Sequence, residues 1–394
     1  QEFIETVMRI APTFGGINLE DIAAPHCFEI EQALIEQLDI PVFHDDQHGT
    51  AIIIAAGLMN ALELQGKTLG EAKIVVLGAG AAGIATIRLL VTMGAHRDNF
   101  LAIDREGVIH TGRTNLNPYK WGVAVDTEKR TLEEAMEDAD VVIGLSGPDL
   151  ISPQMLAHMA PKPVVFALSN PVPEIRPEIA LRVRDDLIMA TGRSDYPNKV
   201  NNVLGFPFIF RGALDARASR INEEMQIAAV HALQALTHEP VPREVLDAYH
   251  LDSLSFGPEY IIPKPFDSRV LSRVALAVAR AACETGVANE PISDWDEYRA
   301  RLEGMTNRSR MVMDSIRNKA KSITRKIVFA EGERAEAARA AGADEVGSAE
   351  LAEKISGGWT ESEKFSDAAL PANREQFVTS CIDLFIRGNF DPLA

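Results

Sequence analysis

Short apolar runs and longer helical patterns alternate through the middle of the chain. The runs are too short for helices and are bounded by polar or Gly-containing segments, so they predict strands. The predicted strands are Lys73–Leu77, Phe100–Ile103, Val141–Leu145 and Val164–Leu168, and the predicted helices between them are Ala81–Met93, Thr131–Ala139 and Pro153–Met159. Strands and helices in alternation form a parallel sheet with helices on both faces. The pattern therefore predicts an α/β, Rossmann-type doubly wound fold.

Further elements are predicted on both sides of this region. Before it come a helix over 28–38, a strand over 41–43 and an apolar helix over 51–64, and after it come helical patterns at Ile221–Leu236, Ser268–Glu284 and Asp294–Lys321. A strand-like run, Lys326–Ala330, then follows a basic stretch and indicates a linker into another segment. We therefore divide the chain into 1–50, 51–203, 204–322 and an unassigned tail, 323–394.

Composition narrows the expected partners and compartment. The chain has 39 Lys and Arg against 57 Asp and Glu, a formal charge of −18, which disfavours nucleic acid and anionic membrane surfaces. The longest apolar stretch, 51–62, is shorter than the roughly 20 residues that cross a bilayer. Three separated cysteines without a CxxC pair favour a reduced, cytoplasmic protein. The opening residues have the spacing of a helix entered part-way, so we expect further residues upstream.

A glycine-rich loop is the strongest local signal. The sequence Gly78-Ala79-Gly80-Ala81-Ala82-Gly83 follows a predicted strand and opens a predicted helix, the context in which GxGxxG binds a dinucleotide pyrophosphate. Asp104 ends the next strand about 20 positions later, where an acid that binds the ribose is expected. The alternative is a glycine-rich turn without a ligand. Asp104 favours NAD, whereas the adjacent Arg105 could accept the 2′-phosphate of NADP, so the choice of nucleotide stays open.

Two acidic turns form a second constellation, Glu20-Asp21 and Asp45-Asp46. Hard divalent cations take several oxygen ligands, and the intervening helix and strand can return the chain so that the turns meet. From the residues alone, an acidic helix start capped by Asn18 is the better explanation of the first turn. A solvated polar turn is a weaker explanation of the second, because adjacent acids are costly to bury without a cation. The flanking histidines could also be ligands, or could support the ligands from behind.

Polar turns also follow two places where strands could end. Asn170 lies in Leu168-Ser169-Asn170-Pro171, and Asn202 lies in Val200-Asn201-Asn202-Val203. Ligands bind outside the carboxyl ends of strands in such sheets, and an Asn amide there can donate and accept hydrogen bonds. Ordinary turn chemistry explains these residues equally well. Ser146-Gly147-Pro148 ends the preceding strand in the same way.

Four longer motifs together resemble bacterial malic enzymes. They are Ile17-Asn18-Leu19-Glu20-Asp21-Ile22-Ala23-Ala24-Pro25, Pro41-Val42-Phe43-His44-Asp45-Asp46-Gln47-His48-Gly49-Thr50-Ala51, Thr191-Gly192-Arg193-Ser194-Asp195-Tyr196-Pro197 and Asn201-Asn202-Val203-Leu204-Gly205-Phe206-Pro207. The resemblance covers about residues 1–320. More narrowly, the motifs resemble the long, NADP-preferring type, in which a phosphotransacetylase-like region follows the malic part. That pattern is not sustained in the tail after Glu333.

The resemblance implies a role for each part of the chain. It makes 1–50 a remnant of the substrate and metal domain, 51–203 the NAD(P)-binding domain and 204–322 the C-terminal helical part. It implies that Glu20, Asp21 and Asp46 ligate Mg²⁺ or Mn²⁺ and that Asp45 orients the catalytic lysine. It also implies nucleotide contacts at Ala79–Ala82, and roles for Asn170 and Asn202 at the cofactor and substrate. The family's catalytic tyrosine and lysine lie upstream of Gln1, which leaves turnover by this chain open.

These features together predict a metal-dependent, NAD(P)-linked oxidative decarboxylase that converts malate to pyruvate and CO₂. A cation that binds the 2-hydroxyl and 1-carboxylate of malate would assist both oxidation and decarboxylation. Two alternatives stay open: decarboxylation of oxaloacetate without the redox step, and a non-catalytic nucleotide-binding module. Apolar helices such as 51–64 fit a homo-oligomer, but they serve equally well as core.

Overall fold

The structure, a computed structural model, describes residues 1–305, 327–329, 336 and 345–347. The chain divides into two units, Gln1–Gly304 and Met305–Ala394. The first unit contains the whole of the region predicted to bind a nucleotide. The finer division into 1–50, 51–203 and 204–322 stays a prediction.

A six-stranded sheet runs through the first unit in the order β5-β4-β3-β6-β7-β8. Its strands are β3 (Ile74–Leu77), β4 (Phe100–Asp104), β5 (Gly107–Val108), β6 (Val141–Gly144), β7 (Val164–Ala167) and β8 (Ile188–Thr191). All neighbours are parallel except β4 and β5. The central strands are apolar runs buried along their whole length, as parallel strands covered on both faces must be. The predicted Rossmann-type α/β fold is confirmed.

Helices cover both faces of this sheet. They are α3 (Thr50–Gln65), α4 (Ala81–Thr92), α6 (Leu132–Met136), α7 (Pro153–Ala157) and α8 (Pro177–Val183), and a short helix, α5 (Pro118–Trp121), follows β5. One face packs on α6, α7 and α8 through Met136, Leu156 and Ala180, and α3 and α4 contact β7 and β3. The helix α3 is buried on nearly all sides, so it is core and gives no support to a homo-oligomer.

A smaller layer precedes this sheet. It consists of α1 (Glu2–Ile10), β1 (Ile17–Leu19), α2 (His26–Gln37) and β2 (Val42–His44). The strands β1 and β2 pair in parallel, with Leu19 opposite His44, and a core of Val7, Leu19, Leu34 and Val42 joins them to the helices. The sequence predicts α2 and β2, but it misses β1.

The C-terminal part of the first unit is helical. Its helices are α9 (Phe208–Asp215), α10 (Glu223–Thr237), α11 (Arg243–Ala248) and α12 (Arg269–Glu284), and residues 295–305 are also helical. The predicted helix Asp294–Lys321 is therefore confirmed as far as 305, and its remainder lies outside the described residues. Among the described residues, no helix has the length and apolar character that a bilayer crossing requires.

Two short parallel strands, β9 (Ile327–Phe329) and β10 (Glu345–Gly347), are described in the second unit. They confirm the strand predicted at Lys326–Ala330. The rest of the tail lies outside the residues described.

Candidate functional site

The two acidic turns meet. Because β1 and β2 are parallel partners, Glu20 and Asp45 leave the same edge of the pair side by side. The backbone N–H of Asp21 donates to Asp46 Oδ2 at 2.8 Å across 25 positions of sequence. Asn18 Nδ2 donates to Glu20 Oε1 at 2.7 Å, and no helix begins until His26. The alternative of a helix start capped by Asn18 is therefore wrong.

Crowding of the carboxylates changes their acidity. Burial raises the pKa of Asp45 to about 8, and the negative charges of Glu20 and Asp46 add to the effect. Partial burial also raises the pKa of Glu20. The hydrogen bond from Asn18 opposes this rise, and the negative charges of Asp46 and Asp21 add to it. A nearby positive charge would lower the pKa of both carboxyl groups, because it stabilises their ionised forms.

The donor chemistry of these turns fits a hard divalent cation. Their side chains offer carboxylate oxygens, the ligands that Mg²⁺ and Mn²⁺ prefer, and Asp45 Oδ1 is buried without a hydrogen-bond partner. As the side chains stand, no group of three or more His, Cys, Asp or Glu among the described residues surrounds one point. Asp46 Oδ2 faces the Asp21 amide instead. Binding therefore requires side-chain rotation within turns that are already adjacent.

Asp45 and Asp46 begin a single π-helical turn, Asp45–Gly49, that leads into α3. Such turns are uncommon and recur at functional sites. Glu31 of α2 holds this one, since its carboxylate accepts hydrogen bonds from the His44 backbone N–H at 3.1 Å and from Gln47 Nε2 at 3.0 Å, and lies 3.0 Å from His48 Nε2. His44 itself is fully buried, and burial lowers its pKa. The sequence did not single out Glu31.

Asn202 lies on the other side of Asp45. It begins a short 3₁₀ turn, Asn202–Leu204, and its Nδ2 donates to Asp45 Oδ2 at 2.7 Å. This places Asn202 against the acidic turns, while Asn170 is exposed beyond the end of β7. The structure thus brings Asn202 to the predicted catalytic carboxylate, and its role toward cofactor or substrate stays a prediction.

The glycine-rich loop has the geometry of a dinucleotide-binding turn. Gly78 has φ of +119°, and a Cβ there would lie 2.6 Å from the Leu145 carbonyl oxygen. A Cβ on Gly83 would lie within 1.9 Å of the Gly78 carbonyl oxygen, so helix and loop pack in direct contact. Gly80 stands at the start of α4, has open space where a Cβ would be and provides no side-chain cap. The first N–H groups of α4, at Ala81 and Ala82, are thus available to an anion.

Asp104 ends β4 as predicted, but it is not free. Arg113 makes two hydrogen bonds to its carboxylate, at 2.8 and 3.2 Å, and Lys120 Nζ makes a third at 2.6 Å. Burial alone would raise the pKa of Asp104, but these hydrogen bonds overcome it and hold the pKa at about 2. Arg113 lies in irregular structure after β5 and Lys120 in the short helix α5, and no motif in the sequence marks either residue.

The two halves of the site adjoin. The π-helical turn packs against α4, the helix that the glycine-rich loop opens. Asp45 and Asp46 are therefore neighbours of the place where the sheet order predicts a bound nucleotide. Fold and site together define an α/β dinucleotide-binding protein with a candidate cation site beside the nucleotide.

Comparison with known proteins gives the family. The model of the malic enzyme NAD binding domain matches residues 47–247, and that of the malic enzyme N-terminal domain matches residues 1–35. The NADP-dependent malic enzyme of Halomonas elongata is 63% identical over 291 residues, which are 74% of this chain and 69% of the relative. The chain belongs to the malic enzyme family, as its motifs predict.

Two further matches bear on the nucleotide and the fold. The NAD-dependent malic enzyme of Rhizobium meliloti is 50% identical over 86% of this chain, but the chain spans only 44% of that relative. The crystal structure of malic enzyme from Pyrococcus horikoshii Ot3 matches with a TM-score of 0.68 and 43% identity, covering 78% of this chain and 69% of the other. The chain is thus similar both to an NADP-dependent and to an NAD-dependent malic enzyme.

Proposed function

We propose that the protein to which this chain belongs oxidatively decarboxylates malate to pyruvate and CO₂ and reduces NADP. The observation that carries the proposal is the packing of the acidic π-helical turn against the helix of the glycine-rich loop. It makes one site of two features that malate oxidation needs together, a hydride acceptor and a cation. The matches to NAD(P)-dependent malic enzymes support it.

The chain's own residues have distinct tasks in this proposal. Glu20, Asp21 and Asp46 would hold Mg²⁺ or Mn²⁺, which supplies Lewis acidity at the oxygen atoms of the substrate. Asp45 would orient the ammonium group of the family's lysine, because its buried Oδ1 has no partner among the described residues and its pKa of about 8 falls beside a positive charge. Asn202 fixes the other oxygen of Asp45 and so sets the direction in which Oδ1 points.

Asp46→Ala tests the cation site. We expect the variant to bind Mn²⁺ at least tenfold more weakly than the parent chain, because one carboxylate ligand is lost. Free Mn²⁺ can be measured by electron paramagnetic resonance during titration. In protein extended upstream of Gln1, malate-dependent formation of reduced nucleotide should fall with it. Unchanged Mn²⁺ affinity would exclude this carboxylate as a ligand.

The same assays separate the alternatives. Mn²⁺-dependent CO₂ release from oxaloacetate, without malate-dependent reduction of either nucleotide, would favour the decarboxylase without a redox step. Nucleotide binding with neither reaction, in protein that carries the upstream segment, would favour the non-catalytic module.

NADP is the nucleotide that the β4 end of the site favours. Asp104 is already paired by Arg113 and Lys120, and Glu106 lies 3.5 Å from Arg113, so two carboxylates balance the two cations and the charge that would repel a 2′-phosphate is neutralised. At this neutralised site the Arg113 guanidinium and the Lys120 ammonium can donate hydrogen bonds to a 2′-phosphate. Lys120→Ala should raise the Kd of NADP at least tenfold and change that of NAD less than threefold. Equal weakening of both nucleotides would contradict NADP selectivity.

The remaining features are also part of the proposal: a cytoplasmic homo-oligomer that acts on malate and pyruvate and binds neither nucleic acid nor membrane. Cys27 and Cys283 are unpaired in the described residues, which fits a reducing compartment. Phe3 and Ile10 lie two turns apart on α1 and are each 47% exposed, a surface that a second copy could cover. Sedimentation equilibrium tests the assembly.

A further inference from the structure

Glu174 is a fully buried carboxylate that the proposed reaction does not use. It follows β7 and joins the turns that leave β6 and β7. Its Oε1 accepts from the Ser146 backbone N–H at 3.0 Å and from Ser169 Oγ at 2.6 Å, and its Oε2 accepts from the Ser169 backbone N–H at 3.1 Å. Two strand-end turns that are distant in sequence are therefore fixed to one side chain.

Neighbouring glycines let this carboxylate lie directly against the sheet. A Cβ on Gly144, the last residue of β6, would be 2.4 Å from Glu174 Cδ. On the other side, a Cβ on Gly78 would be 3.3 Å from Ser146 Cβ. The turn that Glu174 holds thus lies beside the glycine-rich loop, at the carboxyl end of β6.

The sheet order says which half of a nucleotide this wall would face. In doubly wound sheets the ligand lies across the carboxyl ends of the strands at the point where their order reverses. Here that point lies between β3 and β6. Asp104 marks the β4 side, where the adenosine ribose is expected, so the ends of β6 and β7 are left for the nicotinamide half.

We propose that Glu174 is a positioning residue that holds the Ser146 and Ser169 turns as one rigid wall for the nicotinamide half of the cofactor. The inference rests on the proposed nucleotide-dependent function. It adds a group that touches no ligand and acts through the backbone of two turns.

The hydrogen-bond pattern demands a carboxylate at this position. Each oxygen of Glu174 accepts from a backbone N–H, and a backbone N–H cannot reverse its role. In Glu174→Gln the side-chain NH₂ must face one of these two donors, so a buried N–H loses its acceptor although the shape is kept. The turns must then move apart to restore a partner.

Glu178→Gln, four residues further along, is the matched control. Glu178 Oε1 accepts from the Tyr196 hydroxyl at 2.7 Å, and the oxygen of a glutamine can accept the same hydrogen bond. Both substitutions remove one negative charge from the same segment. Only Glu174→Gln leaves a backbone N–H without an acceptor, because the backbone N–H groups of Ser146 and Ser169 donate to different oxygens of Glu174.

Calorimetric titration of the 394-residue chain with NADP and with 2′,5′-ADP, which lacks the nicotinamide half, tests the proposal. Glu174→Gln should raise the Kd of NADP at least tenfold and keep the Kd of 2′,5′-ADP within twofold of the parent value. Glu178→Gln should change neither Kd. Amide exchange at Ser146 or Ser169 should accelerate in Glu174→Gln alone.

The outcomes distinguish a failure of the positioning role of Glu174 from a failure of the proposed function. Parental affinity for NADP in Glu174→Gln, or equal weakening of NADP and 2′,5′-ADP, overturns the positioning role and leaves the proposed function standing. A parent chain that binds neither NADP nor NAD overturns both.

Discussion

Glu31 accepts a hydrogen bond from the His44 backbone N–H, just before the acidic turn Asp45–Gly49, and another from Gln47 Nε2 within the turn. It is 6% exposed, so its hydrogen bonds to the turn are largely shielded from solvent. Its two oxygens differ from those of Glu174. One accepts from a backbone N–H, but the other faces Gln47 Nε2 and His48 Nε2, whose amide orientation and tautomer can change. The two buried carboxylates should therefore respond differently to glutamine.

Glu31→Ala should lower the free energy of unfolding by about 2–3 kcal/mol, because buried donors lose their acceptor. Glu31→Gln should lower it by about 1 kcal/mol or less, since Gln47 can reverse its side-chain amide and the His44 N–H keeps an oxygen. Urea unfolding measures both, with Glu36→Gln, at an exposed position of the same helix, as the control. Equal losses in the alanine and glutamine variants would show that the hydrogen bonds to Glu31 do not hold the turn.

The sequence predicts the residues of the site better than it predicts their partners. Asp45 and Asp46 are recognisable because adjacent acids after a predicted strand are costly to bury without a counter-charge, whereas Glu20 and Asp21 are singled out only by the resemblance of their motif to malic enzymes. Glu31 looks like any polar position of an amphipathic helix, and Arg113 follows Asp104 by nine positions through an irregular loop. Such partners depend on tertiary approach, which local pattern does not encode.

At the scale of elements, the loop and helix start at Gly78–Gly83 combine two different requirements for glycine. Gly83 has no room for a Cβ, because the Gly78 carbonyl oxygen occupies its place, whereas Gly80 has none of its neighbours within 4 Å of that position. Packing therefore requires glycine at 83. At position 80, glycine is required only by the close approach of a ligand.

Alanine substitutions should separate these requirements. Gly80→Ala should leave the free energy of unfolding within about 0.5 kcal/mol of the parent but weaken NADP and NAD alike, because its Cβ enters the space of the pyrophosphate. Gly83→Ala should lower stability by about 1–3 kcal/mol, as overpacking does. Thermal unfolding and calorimetric titration measure the two effects. If Gly80→Ala binds nucleotide as the parent does, the pyrophosphate does not lie over this loop.

The strands that the sequence misses share a physical cause. β1 has the polar Asn18 between its two apolar residues, and β8 contains Met189 and Ala190, which suit helices as well as strands, so neither is the Val- and Ile-rich run that predicts a buried strand. β1 is defined by its pairing with β2, and β8 by its place beside β7. Buried runs such as Val141–Gly144 are predictable because all their residues are apolar. Their neighbours in the sheet follow from tertiary contacts.

At the scale of the whole molecule, a formal charge of −18 opposes every anionic ligand and favours cations. NADP and malate, the proposed ligands, would therefore have to be bound by local positive charge strong enough to overcome that background. Arg113 and Lys120, beside Asp104, are the cations proposed to meet the 2′-phosphate. They lie 2.8 and 2.6 Å from the Asp104 carboxylate, well inside the Debye length of about 10 Å at 0.1 M salt, so salt weakens the background more than these ion pairs.

The same ion pairs should shape the acid stability of the chain. The pKa of Asp104 is held at about 2, below its ordinary value of 3.8. A carboxyl whose pKa is lowered by folding stabilises the folded state above its unfolded pKa and loses that contribution as pH falls toward the folded pKa. The difference in unfolding free energy between the parent and Asp104→Asn should thus be level from pH 7 to about 5 and shrink between about 4 and 2.

Comparing two variants cancels the background, because the other carboxyl groups titrate in both. Urea unfolding at a series of pH values measures the difference, and Asp98→Asn, at an exposed position, controls for the loss of one carboxylate. A difference that stays level down to pH 2 would mean that Arg113 and Lys120 do not hold Asp104 ionised. The positive charge invoked for the 2′-phosphate would then not be organised around Asp104, and Lys120 would have to act on NADP alone.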